Sequence, residues 1–111
     1  MYANLQVWER AMQLAEAVYE MTSRFPADEK YTLTLQLRRA AISVPSNIAE
    51  GKGRGSDKEF KQFLYIARGS LFEVQTQLEL AVRLGYIEQT ATPQQQIAQL
   101  QRMLNTLINK L

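Results

Sequence analysis

Apolar residues recur every three or four positions along almost the whole of this 111-residue chain. This spacing is that of α-helices with one buried face, and no segment shows the alternation typical of a half-buried strand. The pattern is interrupted by Phe25 and Pro26, by three glycines between residues 51 and 55, and by Gly85, which suits the left-handed end of a helix. We therefore expect an all-α protein with helices at approximately residues 4–24, 29–50, 57–84 and 93–110. Because short connections favour antiparallel neighbours, residues 1–111 are predicted to form a single domain, an up-down-up-down four-helix bundle.

Three of the predicted helix starts carry a capping signal. Ser56 followed by Glu59 is typical of a capping box, in which the serine oxygen accepts from a first-turn amide and the glutamate reaches back to the serine amide. Asp28 is the expected N-cap of the second helix. Thr92 is the expected N-cap of the fourth helix, with Pro93 at its first position.

The first helix is predicted to turn a wide apolar face toward the core. This face comprises Trp8, Ala11, Met12, Ala15, Val18 and Tyr19, widened by Val7, Leu14 and Met21. The remaining positions are polar, so the helix is amphipathic and packs on a large core.

The second helix carries two apolar faces. The face assigned to the core contains Leu33, Leu37, Ala40, Ala41, Val44 and Ile48, and the nearly opposite face contains Tyr31, Leu35, Ile42 and Ala49. A surface helix needs only one apolar stripe. The second face therefore indicates contact with another subunit.

The third helix has a long core stripe and an apolar far side. The stripe consists of Phe60, Phe63, Leu64, Ala67, Leu71, Val74, Leu78, Ala81 and Val82. Gly69 lies on the far side with Tyr65, Ile66 and Phe72, and a mid-helix glycine costs about 1 kcal/mol relative to alanine. Close approach of another backbone explains it, although a neutral surface glycine fits as well. We predict an oligomer interface that includes Tyr31, Leu35, Ile42, Tyr65, Gly69 and Phe72.

A polar line separates the two apolar faces of the second helix. It contains Thr32, Gln36, Arg39, Ser43, Asn47 and Glu50. We interpret Arg39, Ser43, Asn47 and Glu50 as a structural polar seam whose groups hydrogen-bond one another, in preference to a catalytic cluster. Pro45 removes one backbone donor and is expected to kink the helix, at a cost of roughly 3 kcal/mol in a regular helix.

Composition narrows the classes of function. The chain has neither cysteine nor histidine, which removes thiolate chemistry and the commonest general base and metal ligand. We expect no metal, no cofactor and no enzymatic activity, because the carboxylates Glu50, Glu59, Glu73 and Glu79 are expected to pair with Arg38, Arg39 or Arg68. No apolar run is long enough to span a membrane, and the acidic residues near the start are unlike a targeting signal, so a cytoplasmic location is predicted.

The positive charge is concentrated in one hairpin. The net charge is only +2, yet residues 38–68 hold seven basic side chains against three acidic ones, a local charge of +4. Lys52, Arg54, Lys58 and Lys61 surround the predicted turn, and with the first amides of the next helix they could contact a phosphate backbone. The turn sequence GKGRGS matches neither GxxxxGK[ST] nor GxGxxG, so a nucleotide site is not expected.

Three segments of the chain resemble a known bacterial family. They are VWERAMQLAEAVY, LRRAAISVPSNIAEG and EFKQFLYIARGSLFEVQTQLELAVRLGYI, within roughly residues 5 to 88. The combination of SVPSNIAEG with EFxxFLxIAxGS is specific. It resembles the four-helix-bundle proteins encoded in intervening sequences of large-subunit ribosomal RNA genes.

The resemblance implies an antiparallel four-helix bundle that assembles as a homopentamer. Family members are also similar to the accessory variability determinant of diversity-generating retroelements, a basic pentamer that binds a reverse transcriptase and nucleic acid, and most other members have no defined biochemical role. The residues that match the family motif are Arg38, Arg39, Ser43, Asn47, Glu50, Gly51 and Arg54, and the resemblance implies a catalytic role for none of them.

Two functional hypotheses follow. In the first, the protein is a non-enzymatic oligomeric accessory factor that binds structured RNA or DNA through Lys52, Arg54, Lys58 and Lys61. In the alternative, it is a scaffold that presents a surface to a protein partner, and the basic turn has no role in nucleic-acid binding. Phosphate contacts are salt-sensitive, so the salt dependence of binding separates the two.

Overall fold

Four α-helices account for most of the chain in the structure, a computed structural model that describes the backbone of residues 2–111 and the side chains of residues 6–111. The helices are α1 (Tyr2–Thr22), α2 (Leu33–Lys52), α3 (Asp57–Arg83) and α4 (Gln94–Lys110). One-turn 3-10 helices at Ala27–Glu29 and Gln89–Ala91 lie in the α1–α2 and α3–α4 connections. Since residues 2–111 contain no strand, the all-α prediction is confirmed.

Consecutive helices pack side by side and run in opposite directions. In each pair of contacting helices, the residue number increases along one helix while that of its partner decreases. Between α2 and α3, Ser43 contacts Ser70 and Gly51 lies beside Phe63. Between α3 and α4, Arg68 contacts Asn105 and Gln75 contacts Gln101. The first helix contacts both α2 and α4, which closes the bundle.

The core is lined by one face of each helix. All six residues assigned to the core face of α2 are buried, as is most of the α3 stripe. The prediction for α1 was partly wrong, because Met12 and Tyr19 are exposed and Trp8 is only partly buried. The buried face of α1 consists of Val7, Ala11, Leu14, Val18 and Met21.

Two predicted helix ends are confirmed. Ser56 caps α3, because its Oγ accepts a hydrogen bond from the Glu59 amide at 3.2 Å. The Glu59 carboxylate accepts from the Ser56 hydroxyl at 3.2 Å, and not from the Ser56 amide as the capping box predicted. Gly85 is left-handed, with φ of 79°. The Gly85 and Tyr86 amides donate to the carbonyls of Val82 and Ala81, which completes a Schellman motif.

Two predicted caps were wrong. Asp28 lies inside a 3-10 turn, and α2 begins at Leu33, whose amide donates to the Glu29 carboxylate at 3.3 Å. The Thr92 hydroxyl donates to the Gln89 carbonyl at 2.7 Å and does not cap α4. In both cases the predicted capping residue belongs to, or bonds with, a short 3-10 helix that precedes the α-helix.

The second helix continues further than its sequence suggests. It passes through the buried Pro45 without a break and includes Gly51, which is also buried. Gly51 was expected to end α2, but it lies inside α2 at a point where α2 packs closely against α3. A Cβ atom added there would be 2.5 Å from the Cβ of Phe63 and 3.0 Å from the Cδ1 of Phe60.

Candidate functional site

The turn between α2 and α3 forms one exposed end of the bundle. Gly51 allows the two helices to converge there, and residues 52–59 are all exposed. Ser56 then starts α3 immediately after the turn. The hairpin therefore presents its basic side chains at the extremity of a rigid pair of helices.

Lys52, Arg54, Lys58 and Lys61 make up this basic tip. Lys52 and Lys58 are exposed and Lys61 is partly exposed, and none of the three takes part in an ion pair among the described residues. The Nζ of Lys52 lies 5.7 Å from the centre of the Phe60 ring, a cation–π arrangement that leaves its charge accessible. Three of the four predicted residues thus have no ion-pair partner among the described residues.

Arg54 differs from the lysines because it has a partner. Its Nη2 lies 2.9 Å from Oε2 of Glu50, and its guanidinium lies 4.9 Å from the centre of the Phe63 ring. The two charged side chains are 46% and 55% exposed, so the ion pair contributes at most about 1 kcal/mol. A phosphate could replace the carboxylate at little cost.

The start of α3 is less suited to anions than its position suggests. Asp57 and Glu59 lie in its first turn, and the Glu59 amide is already occupied by Ser56. Negative side chains at a helix N-terminus offset the positive end of the macrodipole. The lysine side chains, more than the helix amides, are the groups available to a phosphate.

The four residues of the predicted polar seam are not all brought together. The hydroxyls of Ser43 and Ser70 lie 2.8 Å apart, and Asn47 Nδ2 donates to the backbone carbonyl and the hydroxyl of Ser43 at 2.8 and 2.9 Å. Glu50 points to Arg54 instead, and Arg39 is exposed. Ser43 and Asn47 therefore form a small hydrogen-bonded contact between α2 and α3, and Ser70 is the member that the sequence did not indicate.

The six predicted interface residues lie on two separate surfaces. Tyr31, in the connection before α2, is exposed by 77%; on α2, Ile42 is exposed and Leu35 is partly buried. On α3, Tyr65 and Phe72 are exposed on either side of Gly69. A Cβ atom added to Gly69 would have no other atom within 4 Å. We call the exposed strip formed by Tyr65, Ile66, Gly69 and Phe72 the α3 ridge.

Sequence reasoning missed an apolar groove between α1 and α2. We call it the α1–α2 groove; it has a volume of about 720 Å³. Its apolar lining is Trp8, Met12, Ala15, Tyr19, Ile42, Pro45 and Ala49, and Glu16, Glu20, Ser23 and Ser46 complete it. The available signal was the unusual width of the apolar arc of α1, which exceeds what one buried face requires.

At the opposite end of the bundle, Tyr86 contacts Glu29 and Phe25 and so joins the α3–α4 connection to the α1–α2 connection; we call this contact the clasp. The Tyr86 hydroxyl donates to Oε2 of Glu29 at 2.7 Å, and the Tyr86 ring packs on Phe25 with centroids 5.7 Å apart. Hydrogen bonds from the Thr32 hydroxyl, the Tyr86 hydroxyl and the Leu33 amide lower the pKa of Glu29 from its ordinary value of 4.5. The same carboxylate raises the pKa of Tyr86 from 10.0.

The described part of the chain contains no group of three or more acidic, histidine or cysteine side chains arranged to hold a metal ion. None of its helices is both long and apolar enough to cross a membrane.

Comparisons with known proteins agree on a family and a fold. Residues 3–106 match the family model described as 23S rRNA-intervening sequence protein. Among solved structures, the chain is similar to a protein with unknown function from the S23 ribosomal protein family of Bacteroides thetaiotaomicron, with a TM-score of 0.87 and 21% sequence identity over 96% of this chain and 98% of that one. No curated protein matches the sequence.

Proposed function

This chain belongs to the 23S rRNA-intervening sequence protein family, and we propose that it is a non-enzymatic accessory protein that binds structured nucleic acid through its basic tip. The tip comprises Lys52, Arg54, Lys58 and Lys61. Their role is to contact phosphates, which position a protein on nucleic acid without reading its sequence.

The observation that carries the proposal is the accessible charge of the three tip lysines. Lys52, Lys58 and Lys61 lie at the end of α2 and in the first turns of α3, on either side of the same loop, and none makes an ion pair with a carboxylate of the described residues. Arg54 adds a fourth cation through a weak, exposed ion pair that a phosphate can replace. Such a group of accessible cations favours a polyanion with regularly spaced charges.

The test is a binding titration of nuclease-treated protein against structured RNA and duplex DNA at several salt concentrations. We expect the affinity to fall steeply with salt, because each phosphate contact on duplex DNA contributes about −0.9 to the slope of log affinity against log salt. Replacing the four tip residues with alanine should reduce that slope by roughly three and should leave the helical circular dichroism unchanged.

A control variant with the same change in net charge isolates the position of the cations. Arg24, Lys30, Arg83 and Arg102 are exposed and lie outside the tip, so their replacement with alanine also removes four positive charges. This variant should retain most of the affinity. Equal losses in the two variants, or binding that is insensitive to the tip replacement, would contradict the proposed site.

The second candidate function is that of an oligomeric scaffold for a protein partner. It is supported by the exposed α1–α2 groove and α3 ridge, and the family resemblance implies a homopentamer. A partner that remains bound after nuclease treatment and at high salt would favour this function over nucleic-acid binding.

Self-association has its own measurement. Light scattering at micromolar concentration is expected to give about five times the 12.7 kDa of one chain. The physical reason is the burial of two apolar surfaces that a single chain leaves in water. A mass of 12.7 kDa would contradict self-association while leaving the binding titration to decide the role of the tip.

A further inference from the structure

We propose that the α1–α2 groove of one protomer receives the α3 ridge of a second copy in a head-to-tail contact. This inference rests on the self-association proposed above and is independent of nucleic-acid binding. It assigns a partner to each of the two exposed apolar surfaces.

On both surfaces, large exposed apolar side chains are grouped together and not scattered singly. Met12, Tyr19 and Ile42 in the groove are 37–42% exposed, and Tyr65 and Phe72 on the ridge are 44% and 52% exposed. Contiguous exposed apolar residues of this kind mark interaction surfaces. The groove is a shallow, open depression between two helices, and the ridge lies along the outer side of a single helix.

The charges beside the two surfaces are opposite. Glu16 and Glu20 line the groove, and Glu16 takes part in none of the ion pairs among the described residues. Arg68 borders the ridge, where its guanidinium lies 4.8 Å from the Tyr65 ring and donates to the neutral amide oxygen of Asn105 at 3.0 Å. Arg68 takes part in no ion pair among the described residues, so its charge can meet Glu16 of a second copy.

The groove and the ridge also lie at the same level along the bundle. Ser43 and Ser70 are in hydrogen-bond contact, so this point of α2 is level with Ser70 of α3. Arg38 contacts the end of α1 through Tyr19 and Thr22, and in antiparallel helices a point about five residues further along α2 is level with residues 14–17 of α1. Glu16 is consequently level with Ser70, close to Arg68, and the two surfaces can meet without sliding one protomer along the other.

A contact between unlike surfaces, groove against ridge, satisfies these charges, and a contact between like surfaces does not. Pairing ridge with ridge would bring two copies of Arg68 together, and pairing groove with groove would bring two copies of Glu16 together. Like charges across an interface are unfavourable. A contact between two different surfaces of neighbouring copies is heterologous. Such contacts close into a ring when the rotation that relates one copy to the next permits it.

The chain has no cysteine, so disulfide trapping can test the contact without background. Met12→Cys marks the groove and Tyr65→Cys marks the ridge; both side chains are exposed, and the levels derived above place Met12 of one protomer beside Tyr65 of the next. When the two variants are co-expressed and mildly oxidised, we expect a disulfide between them. Each variant expressed alone should form none.

A third variant serves as the matched control. Thr106→Cys places an exposed cysteine on α4, outside both surfaces, and should not cross-link to Met12→Cys. Disulfides formed by Tyr65→Cys alone, or absence of the mixed disulfide in protein that light scattering shows to be oligomeric, would overturn the head-to-tail contact.

A charge exchange gives an independent readout. Glu16→Lys and Arg68→Glu should each raise the dissociation constant of the assembly by about fivefold, and combining them in one chain should restore it, because the pair is re-formed with its signs reversed. A combined variant as weak as the sum of the single variants would show that the two residues do not meet.

Discussion

Gly51 sets the distance between α2 and α3 beside the basic tip. A Cβ atom at this position would lie 2.5 Å from the Cβ of Phe63, a separation at which something must shift. We expect Gly51→Ala to lower the free energy of unfolding by about 1–3 kcal/mol, the usual cost of overpacking. Urea denaturation at fixed protein concentration measures the change.

Gly55 provides the control for this substitution. A Cβ atom there would meet nothing within 4 Å, and the residue has no left-handed conformation to lose. Gly55→Ala should therefore change the free energy of unfolding by no more than about 0.5 kcal/mol. Equal stability of the two variants would show that the helices separate easily at Gly51.

The role of Gly51 could not be predicted from its own identity. Glycine is common where helices end, and the three glycines of the turn predicted an end near residue 50. The deciding fact is the position of Phe63 on another helix, which local sequence does not contain. Ser56 was predicted correctly because its capping partner, Glu59, lies three residues away on the same helix.

At the scale of elements, the clasp between Glu29 and Tyr86 ties the α1–α2 connection to the α3–α4 connection. The lowered pKa of Glu29 means that its stabilising effect is present above its unfolded pKa and is lost as the pH falls through the folded value. The raised pKa of Tyr86 means that its effect is present below its unfolded pKa and is lost as the pH rises through the folded value. The clasp therefore stabilises the fold mainly between these limits.

Tyr86→Phe tests the clasp because it removes the hydroxyl and keeps the ring against Phe25. We expect the variant to be less stable than the natural chain near neutral pH. The difference should shrink below the ordinary Glu29 value of 4.5 and above the ordinary Tyr86 value of 10.0. Urea midpoints across this range measure it, and a difference that does not vary with pH would contradict a role for the ionised carboxylate.

The core faces of α2 and α3 were largely predicted although each helix has a second apolar side, whereas the single wide apolar arc of α1 was ambiguous. In α1 the apolar arc is wide enough to face either the core or the groove, and only packing decides that Val7 and Leu14 are buried while Met12 and Tyr19 are not. Val7, Leu14 and Met21, which are spaced seven residues apart, all lie on the buried face of α1. An apolar arc wider than a single interface requires is therefore a sign of a second contact surface.

At the scale of the whole molecule, the two ends of the bundle differ. One end is fastened by the clasp, and the other carries the basic tip. The sequence indicated the concentration of charge, but Glu50 was expected to pair with Arg38, Arg39 or Arg68, and it pairs instead with Arg54, four residues further along the chain. The exposed apolar surfaces lie along the sides, between these ends.

The equal level of the groove and the ridge has a consequence for affinity. If protomers join through the proposed groove-to-ridge contact with their helices parallel, every basic tip emerges at the same end of the assembly. A single continuous polyanion can then engage several tips, and once the first is bound the others bind intramolecularly. Such avidity can exceed the affinity of one site by about 10²–10⁴. The direction in which the helices run thus makes the valency of the assembly equal to its number of protomers.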